Sequence, residues 1–264
     1  MKIQGKATIV TGASRGLGAA LARQLARAGG RVVLLARGAG PLDDVASAIR
    51  AEGGEAHAIA ADVADKAAIH RVAAAAAALA GPIEILVHNA ATLGPLPMPQ
   101  LMDTECEDME RVLAVNLVGP FRLTKALLGP MLLRGGGLVL NVSSDASIYG
   151  YPGWGAYGVS KAGLEHLARI WATEVAEAGV RFVTVDPGEM DTRMHADALP
   201  EADPLSLASP AEAARVIVDL IDRIETVPNG ARLDLSSEVA AVRAARAASA
   251  PMRGGAPADV GDRR

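Results

Sequence analysis

Aromatic side chains are scarce in this chain: two phenylalanines, two tryptophans and three tyrosines, 3% of 264 residues, so any place where they gather is informative. Cysteine occurs once, at Cys106, which excludes an intramolecular disulfide and fits a reducing compartment such as the cytoplasm. Positive charge is not in excess. The formal net charge is −4 with charges interspersed, so the basic footprint of a nucleic-acid binder is missing. His57, His70, His88, His166 and His195 are scattered without ligand spacing, which leaves a metal site unsupported. The longest apolar stretch, VAAAAAALAG at 72–81, is alanine-dominated, ends at Gly81-Pro82 and is too short to span a bilayer, so no membrane partner is expected. The opening MKIQGKATIVTG lacks the apolar stretch of a signal peptide, and the mature protein is expected to start near residue 1.

What is present is an alternation. Short β-branched runs at 7–10, 31–36, 56–60, 83–88, 137–143, 181–186 and 231–235 alternate with segments of helical period at about 17–28, 42–52, 66–79, 104–133, 156–178 and 210–225. This predicts an α/β fold: a doubly wound, Rossmann-type parallel sheet of about seven strands with helices on both faces, in a single domain over 1–236. Residues 237–264 turn to Ala, Arg, Gly and Pro; SEVAAVRAARAAS has the composition of a helix, and the remainder that of a partly disordered tail.

In such sheets ligands bind beyond the carboxyl ends of the strands, where the winding reverses. After the first strand comes TGASRGLG. Gly12, Gly16 and Gly18 open the first helix, where backbone N–H groups and the helix dipole can meet a dinucleotide pyrophosphate. After the fifth strand comes Ser144, able to donate a hydrogen bond to a substrate oxygen as charge develops on it. Tyr157 and Lys161 are four apart in a helical segment, so they share a face; a neighbouring ammonium favours the phenolate and brings tyrosine, whose ordinary pKa is about 10, within reach of proton transfer.

Together these motifs resemble the short-chain dehydrogenase/reductase family over about residues 5–235. TGASRGLG matches the family's glycine loop, Asn89-Ala90-Ala91 its N-A-G, and Asn116 its active-site asparagine. Ser144, Tyr157 and Lys161 match its S…Y-x-x-x-K set, and Pro187-Gly188 with Thr192 its P-G…T element. Ala91 where glycine is usual and His88 where asparagine is common are departures beside the nicotinamide. The resemblance implies a catalytic set of Asn116, Ser144, Tyr157 and Lys161, with Lys161 also binding the nicotinamide ribose and Asn116 holding a water chain. It implies cofactor contacts at Gly12, Ser14, Arg15, Gly16, Leu17, Gly18, Asp62, Val63, Asn89, Ala90, Pro187, Gly188 and Thr192, with Asp62 equally readable as a helix cap. It also implies a homodimer or homotetramer acting on a small-molecule carbonyl or alcohol.

The end of the second strand decides the nicotinamide cofactor. No carboxylate stands there to take a ribose 2′-hydroxyl; Arg37 does, and Arg15 lies in the glycine loop, so NADP(H) is expected over NAD(H). Four of the seven aromatics fall within SIYGYPGWGAY, just ahead of the lysine. Tyr149, Tyr151 and Trp154 are candidates for a substrate wall or for packing against a second subunit. The stretch 188–204, with Met190 and Met194, is a candidate lid. Two other readings stay open: a catalytically silent NADP(H)-binding sensor or interaction protein, and an epimerase or dehydratase that regenerates its cofactor.

Overall fold

The computed structural model describes residues 1–249. The disordered end expected beyond that point lies outside the described residues.

Seven strands form one parallel sheet: β1 (Ala7–Thr11), β2 (Arg31–Ala36), β3 (Glu55–Ala60), β4 (Ile83–His88), β5 (Gly137–Val142), β6 (Val180–Asp186) and β7 (Arg232–Asp234), in the order β3-β2-β1-β4-β5-β6-β7. The winding reverses between β1 and β4. Every residue of β1 and β5 is buried, as expected of strands covered on both faces. One face carries α1 (Gly16–Arg27), α2 (Ala39–Ala51) and α8 (Pro210–Asp222). The other carries α3 (Ile69–Ala80), α5 (Gly119–Arg134) and α6 (Gly155–Glu174). Aliphatic side chains fill both layers, Leu21, Leu25 and Leu34 on the first and Ile9, Leu86 and Leu123 on the second, all without measurable exposure. Truncating one such leucine to alanine typically costs about 2–5 kcal/mol.

The predicted helix over 104–133 is interrupted. It forms as α4 (Cys106–Leu113), a wide π-type turn (Ala114–Val118) and α5. Pro120 has no N–H to give the carbonyl four residues earlier, that of Asn116, and this breaks the α-helical pattern there. Cys106–Arg134 is also long and apolar enough to cross a membrane by length and composition. In this fold its residues Leu123, Leu127, Leu128 and Met131 pack into the core.

One helix was not read from the sequence pattern, and a second, expected from the composition of SEVAAVRAARAAS, is present. A short helix, α7 (Arg193–Ala198), lies within the candidate lid, capped by the Thr192 hydroxyl, which accepts from the His195 N–H at 3.2 Å. The segment from 236 onward forms α9 (Ser236–Ser249), and Val239 and Val242 join it to the α8 side of the core.

Candidate active site

The carboxyl ends of β1, β4, β5 and β6 open into one cleft of about 1730 Å³. At one end the glycine loop links β1 to α1. Gly12 stands at φ +67, and a Cβ there would also lie 2.8 Å from the Ala90 Cα, so both backbone conformation and space call for glycine. Gly18 lies behind the loop and does not line the cleft. A Cβ on it would be 2.3 Å from the Gly12 carbonyl oxygen, so its contribution is close packing of helix on loop rather than ligand contact. Gly16, at φ +54, has open space above it, with nothing nearer a Cβ than Thr192 Cγ2 at 3.6 Å. Helix α1 has no side-chain cap, so its first N–H groups lack a side-chain acceptor at the cleft wall. An uncapped helix start beneath a loop that is glycine at positions 12 and 16 fits a pyrophosphate, and the residues present fit a dinucleotide.

The Thr11 hydroxyl ties this loop to the next strand end. It accepts from the N–H groups of Asn89 and Ala90 at 2.9 and 3.0 Å and donates to the Val87 carbonyl at 3.2 Å. Asn89 Nδ2 donates back to the Thr11 and Gly12 carbonyls. Ser14, Arg15, Leu17, Arg37, Asp62, Val63, Pro187, Gly188 and Thr192 all border the cleft as the sequence suggests. Asp62 closes a local turn, accepting from the Ala64 N–H at 2.9 Å, and α3 begins only at Ile69; it is not the cap of that helix. Among the described residues neither Arg15 nor Arg37 forms an ion pair.

At the other end stand Ser144, Tyr157 and Lys161. Tyr157 and Lys161 rise from α6, 7% and 2% exposed, with the ammonium 5.5 Å from the tyrosine ring centroid. Lys161 Nζ donates to the Val142 carbonyl at 2.7 Å, at the end of β5. Burial lowers its pKa to about 8, with the carboxylates of Asp186 and then Glu165 opposing the fall. The sequence reading, in which Lys161 draws Tyr157 toward the phenolate, needs correction for this state. Burial, and after it the Asp186 carboxylate, push Tyr157 well above the ordinary tyrosine value, while the Ser144 hydroxyl pulls the other way. Tyr157 is thereby held as the neutral phenol.

Asn116 does not line the cleft. It is 1% exposed, and the π-type turn directs its amide to the backbone of Thr92, accepting from that N–H at 2.8 Å and donating to that carbonyl at 2.9 Å. Its Nδ2 also donates to Ser160 Oγ at 2.9 Å, and Ser160 donates to the Tyr157 carbonyl at 2.6 Å. The amide thus braces the cleft wall at Thr92 against the helix carrying Tyr157.

The remaining wall beside Tyr157 is apolar: Leu93 and Ala146 pack on it, joined by Ala91, Met98, Trp154, Met194 and Ala198. Trp154 meets Tyr157 edge-on at 5.7 Å between centroids. Tyr151 borders the cleft and donates to Asp145 Oδ2 at 2.8 Å, while Ser144 Oγ donates to the other oxygen at 2.9 Å. Tyr149 does not belong to the pocket. The turn after β5 leaves it 60% exposed and outside the cleft lining, its ring centroid 6.4 Å from that of Tyr151. Met190 borders the cleft from the α8 side. His195 Nε2 lies 3.5 Å from Glu189 Oε1. Missed altogether were Leu93, an apolar residue with no local signal, and the buried carboxylates Glu165 and Asp186 with their part-buried partner Arg232.

A doubly wound sheet with a dinucleotide cradle at its switch point and a Ser–Tyr–Lys set beside it defines the class: a nicotinamide-dependent oxidoreductase site. The short chain dehydrogenase family model matches residues 6–203, and the chain belongs to that family, whose members generally interconvert carbonyls and alcohols. It is 32% identical to the 2-(R)-hydroxypropyl-CoM dehydrogenase of Xanthobacter autotrophicus, covering 90% of this chain and 99% of the relative. It is equally 32% identical to the D-threitol dehydrogenase of Mycolicibacterium smegmatis, covering 88% and 92%. Among solved structures, a short chain dehydrogenase from Salmonella enterica serovar Typhi aligns with a TM-score of 0.83 and 30% identity over 89% of this chain and 97% of that one. One from Shigella flexneri, complexed with NADP, aligns at 0.82 and 28% over 88% and 98%.

Proposed function

We propose that this protein is an NADP(H)-preferring carbonyl reductase or alcohol dehydrogenase in which Tyr157 is the general acid and base. One observation carries the reading: a single cleft runs from the glycine loop, flanked by the unpaired Arg15 and Arg37, to the Ser144–Tyr157–Lys161 set. Two guanidinium groups without carboxylate partners are suited to a 2′-phosphate, which an acidic residue at the end of β2 would repel. The bound nicotinamide would supply the hydride accepted by the carbonyl carbon.

The chain's own residues would do the rest. Tyr157, kept protonated by burial, gives its proton to the carbonyl oxygen, and Ser144 Oγ, released from Asp145, donates a hydrogen bond to the same oxygen. Lys161 holds the ribose hydroxyls, and its nearby ammonium makes the phenolate left after donation less costly. Asn116 fixes Thr92 and the Tyr157 helix at a constant separation. Leu93, Trp154 and Met194 exclude water and select a substrate with an apolar body. We place the enzyme in the cytoplasm as a homodimer or homotetramer; Phe121, Val159 and Ile170, exposed on α5 and α6, support a subunit contact there.

Following NADPH oxidation against aldehydes, ketones and quinones, with NADH in parallel, tests the proposal. Turnover with a preference for NADPH is expected. NADPH binding with no turnover of any carbonyl favours the cofactor-binding sensor instead.

A further inference from the structure

Asp186 ends β6 immediately before Pro187-Gly188, and it is only 5% exposed. A buried carboxylate is costly unless it is paired. Arg232 Nη2 donates to its Oδ2 at 2.8 Å, and the Gly188 N–H donates to its Oδ1 at 3.0 Å. The same guanidinium donates through Nε to Glu165 Oε1 at 2.9 Å. Glu165, 4% exposed, also accepts from the hydroxyls of Ser143 and Ser147, at 2.6 and 2.5 Å. One arginine thus fixes two buried carboxylates, from β6 and α6, and the chemistry described so far uses none of the three.

Strand register brings Asp186 to the catalytic pair. Val142 pairs with Val185, the Ser143 N–H donates to the Val185 carbonyl at 2.8 Å, and the Val142 carbonyl is the anchor of Lys161 Nζ. Neighbouring strands lie about 4.8 Å apart, so Asp186 begins about one strand width from that anchor. Asp186, Lys161 and Tyr157 border the same cleft. The other charged or titratable groups facing the pair are accounted for. Glu165 is engaged by Arg232 and two serines, and Asp145 by Ser144 and Tyr151. His88, at the end of β4, is neutral because burial lowers its pKa to about 3. Among these charges Asp186 acts most strongly on both Tyr157 and Lys161.

We propose that Asp186, held in place by Arg232, is a positioning residue that sets the proton affinity of the Tyr157–Lys161 pair, a role that rests on reading Tyr157 as the proton donor. Its carboxylate favours the charged ammonium of a buried lysine and the neutral phenol of a buried tyrosine. The same charge therefore keeps both members of the pair in the state needed to give a proton to a carbonyl oxygen.

With three tyrosines in the chain, the test can be made without substrate or cofactor. In a Tyr149→Phe/Tyr151→Phe background the ultraviolet absorbance of tyrosinate reports Tyr157 alone. Adding Asp186→Asn keeps the shape and removes the charge. Tyrosinate should then appear at lower pH, by on the order of one unit. The alkaline limb of carbonyl reduction should move the same way, and Glu165→Gln should produce a smaller shift. Coincident tyrosinate curves in folded proteins, or a lower kcat with an unmoved pH profile, would overturn the proposal and leave Asp186 a packing residue. If Asp186→Asn does not fold, Asp186→Ser, which relieves crowding against Arg232, carries the same expectation. A titration that shifts in a protein that reduces no carbonyl would refute the reductase reading while leaving the electrostatic role standing.

Discussion

Replacing Asn116 with alanine removes three hydrogen bonds at once: those with the Thr92 N–H and carbonyl and with the Ser160 hydroxyl. Ser160 keeps its bond to the Tyr157 carbonyl, so it is not orphaned. Thr92 loses both backbone partners at a wall that is partly buried. Each such group costs about 1–3 kcal/mol when fully buried, and because Thr92 is only partly buried the two together fall toward the lower end, about 2–4 kcal/mol. For a domain of this size that corresponds to a fall in Tm of about 5–15 °C, measured by circular dichroism at fixed protein concentration. The wall carrying Leu93 should loosen with Thr92, so KM for the carbonyl should rise while NADPH affinity changes little. Asn116→Asp, which buries an unpaired carboxylate oxygen against the Thr92 carbonyl, should destabilise at least as much as alanine. A Tm within about 1 °C of wild type for Asn116→Ala, the range of an ordinary surface change, would refute the bracing role.

Arg37→Asp should lower the NADPH-to-NADH ratio of kcat/KM by more than about tenfold, since a carboxylate at the end of β2 repels a 2′-phosphate; an unchanged ratio would remove Arg37 from cofactor choice. Gly18→Ala puts a Cβ 2.3 Å from the Gly12 carbonyl oxygen, and the forced separation of α1 from its loop should cost about 1–3 kcal/mol in denaturant unfolding and weaken NADPH binding by fluorescence titration. His88, buried and hydrogen-bonded to Thr124 Oγ1 at 2.8 Å, has its pKa lowered from 6.5 to about 3. The unfolded chain therefore binds a proton first, and His88 makes stability fall as pH drops from 6.5 toward 3, a loss that His88→Gln should reduce in urea titrations across that window. Ile170→Lys should shift the protein toward a smaller species in size-exclusion chromatography if α6 forms the subunit contact.

Much of this molecule is local, and local features are legible in a sequence. All seven strands and five of the six helices read from period lie within a few residues of their expected bounds, the sixth being split at Ala114–Val118, because buried parallel strands and amphipathic helices each carry their own pattern. The glycine loop and the Tyr157–Lys161 spacing were legible for the same reason. What escaped was long-range or irregular. Pro120 marked the break at Asn116, but a proline near a helix start is also ordinary, so the π-type turn stayed hidden. Arg232 reaches Glu165 and Asp186 across 67 and 46 positions, and no spacing rule joins them. The direction of the Tyr157 shift also needed the fold. Sequence places an ammonium beside the phenol, whereas burial and Asp186, visible only in three dimensions, outweigh it. Tyr149, left open between a substrate wall and a subunit contact, lies outside the cleft lining because neighbouring aromatics in a turn face different ways.

The central claim is that one cleft holds NADP(H) while Tyr157 protonates a carbonyl. Its most direct test is to measure NADPH binding and carbonyl turnover side by side in wild type and Tyr157→Phe. The account predicts that NADPH affinity stays within a few-fold and that turnover falls by at least about a hundredfold, the scale of a lost general acid. Turnover that survives in Tyr157→Phe would contradict it, and would move the proton donor elsewhere in the cleft.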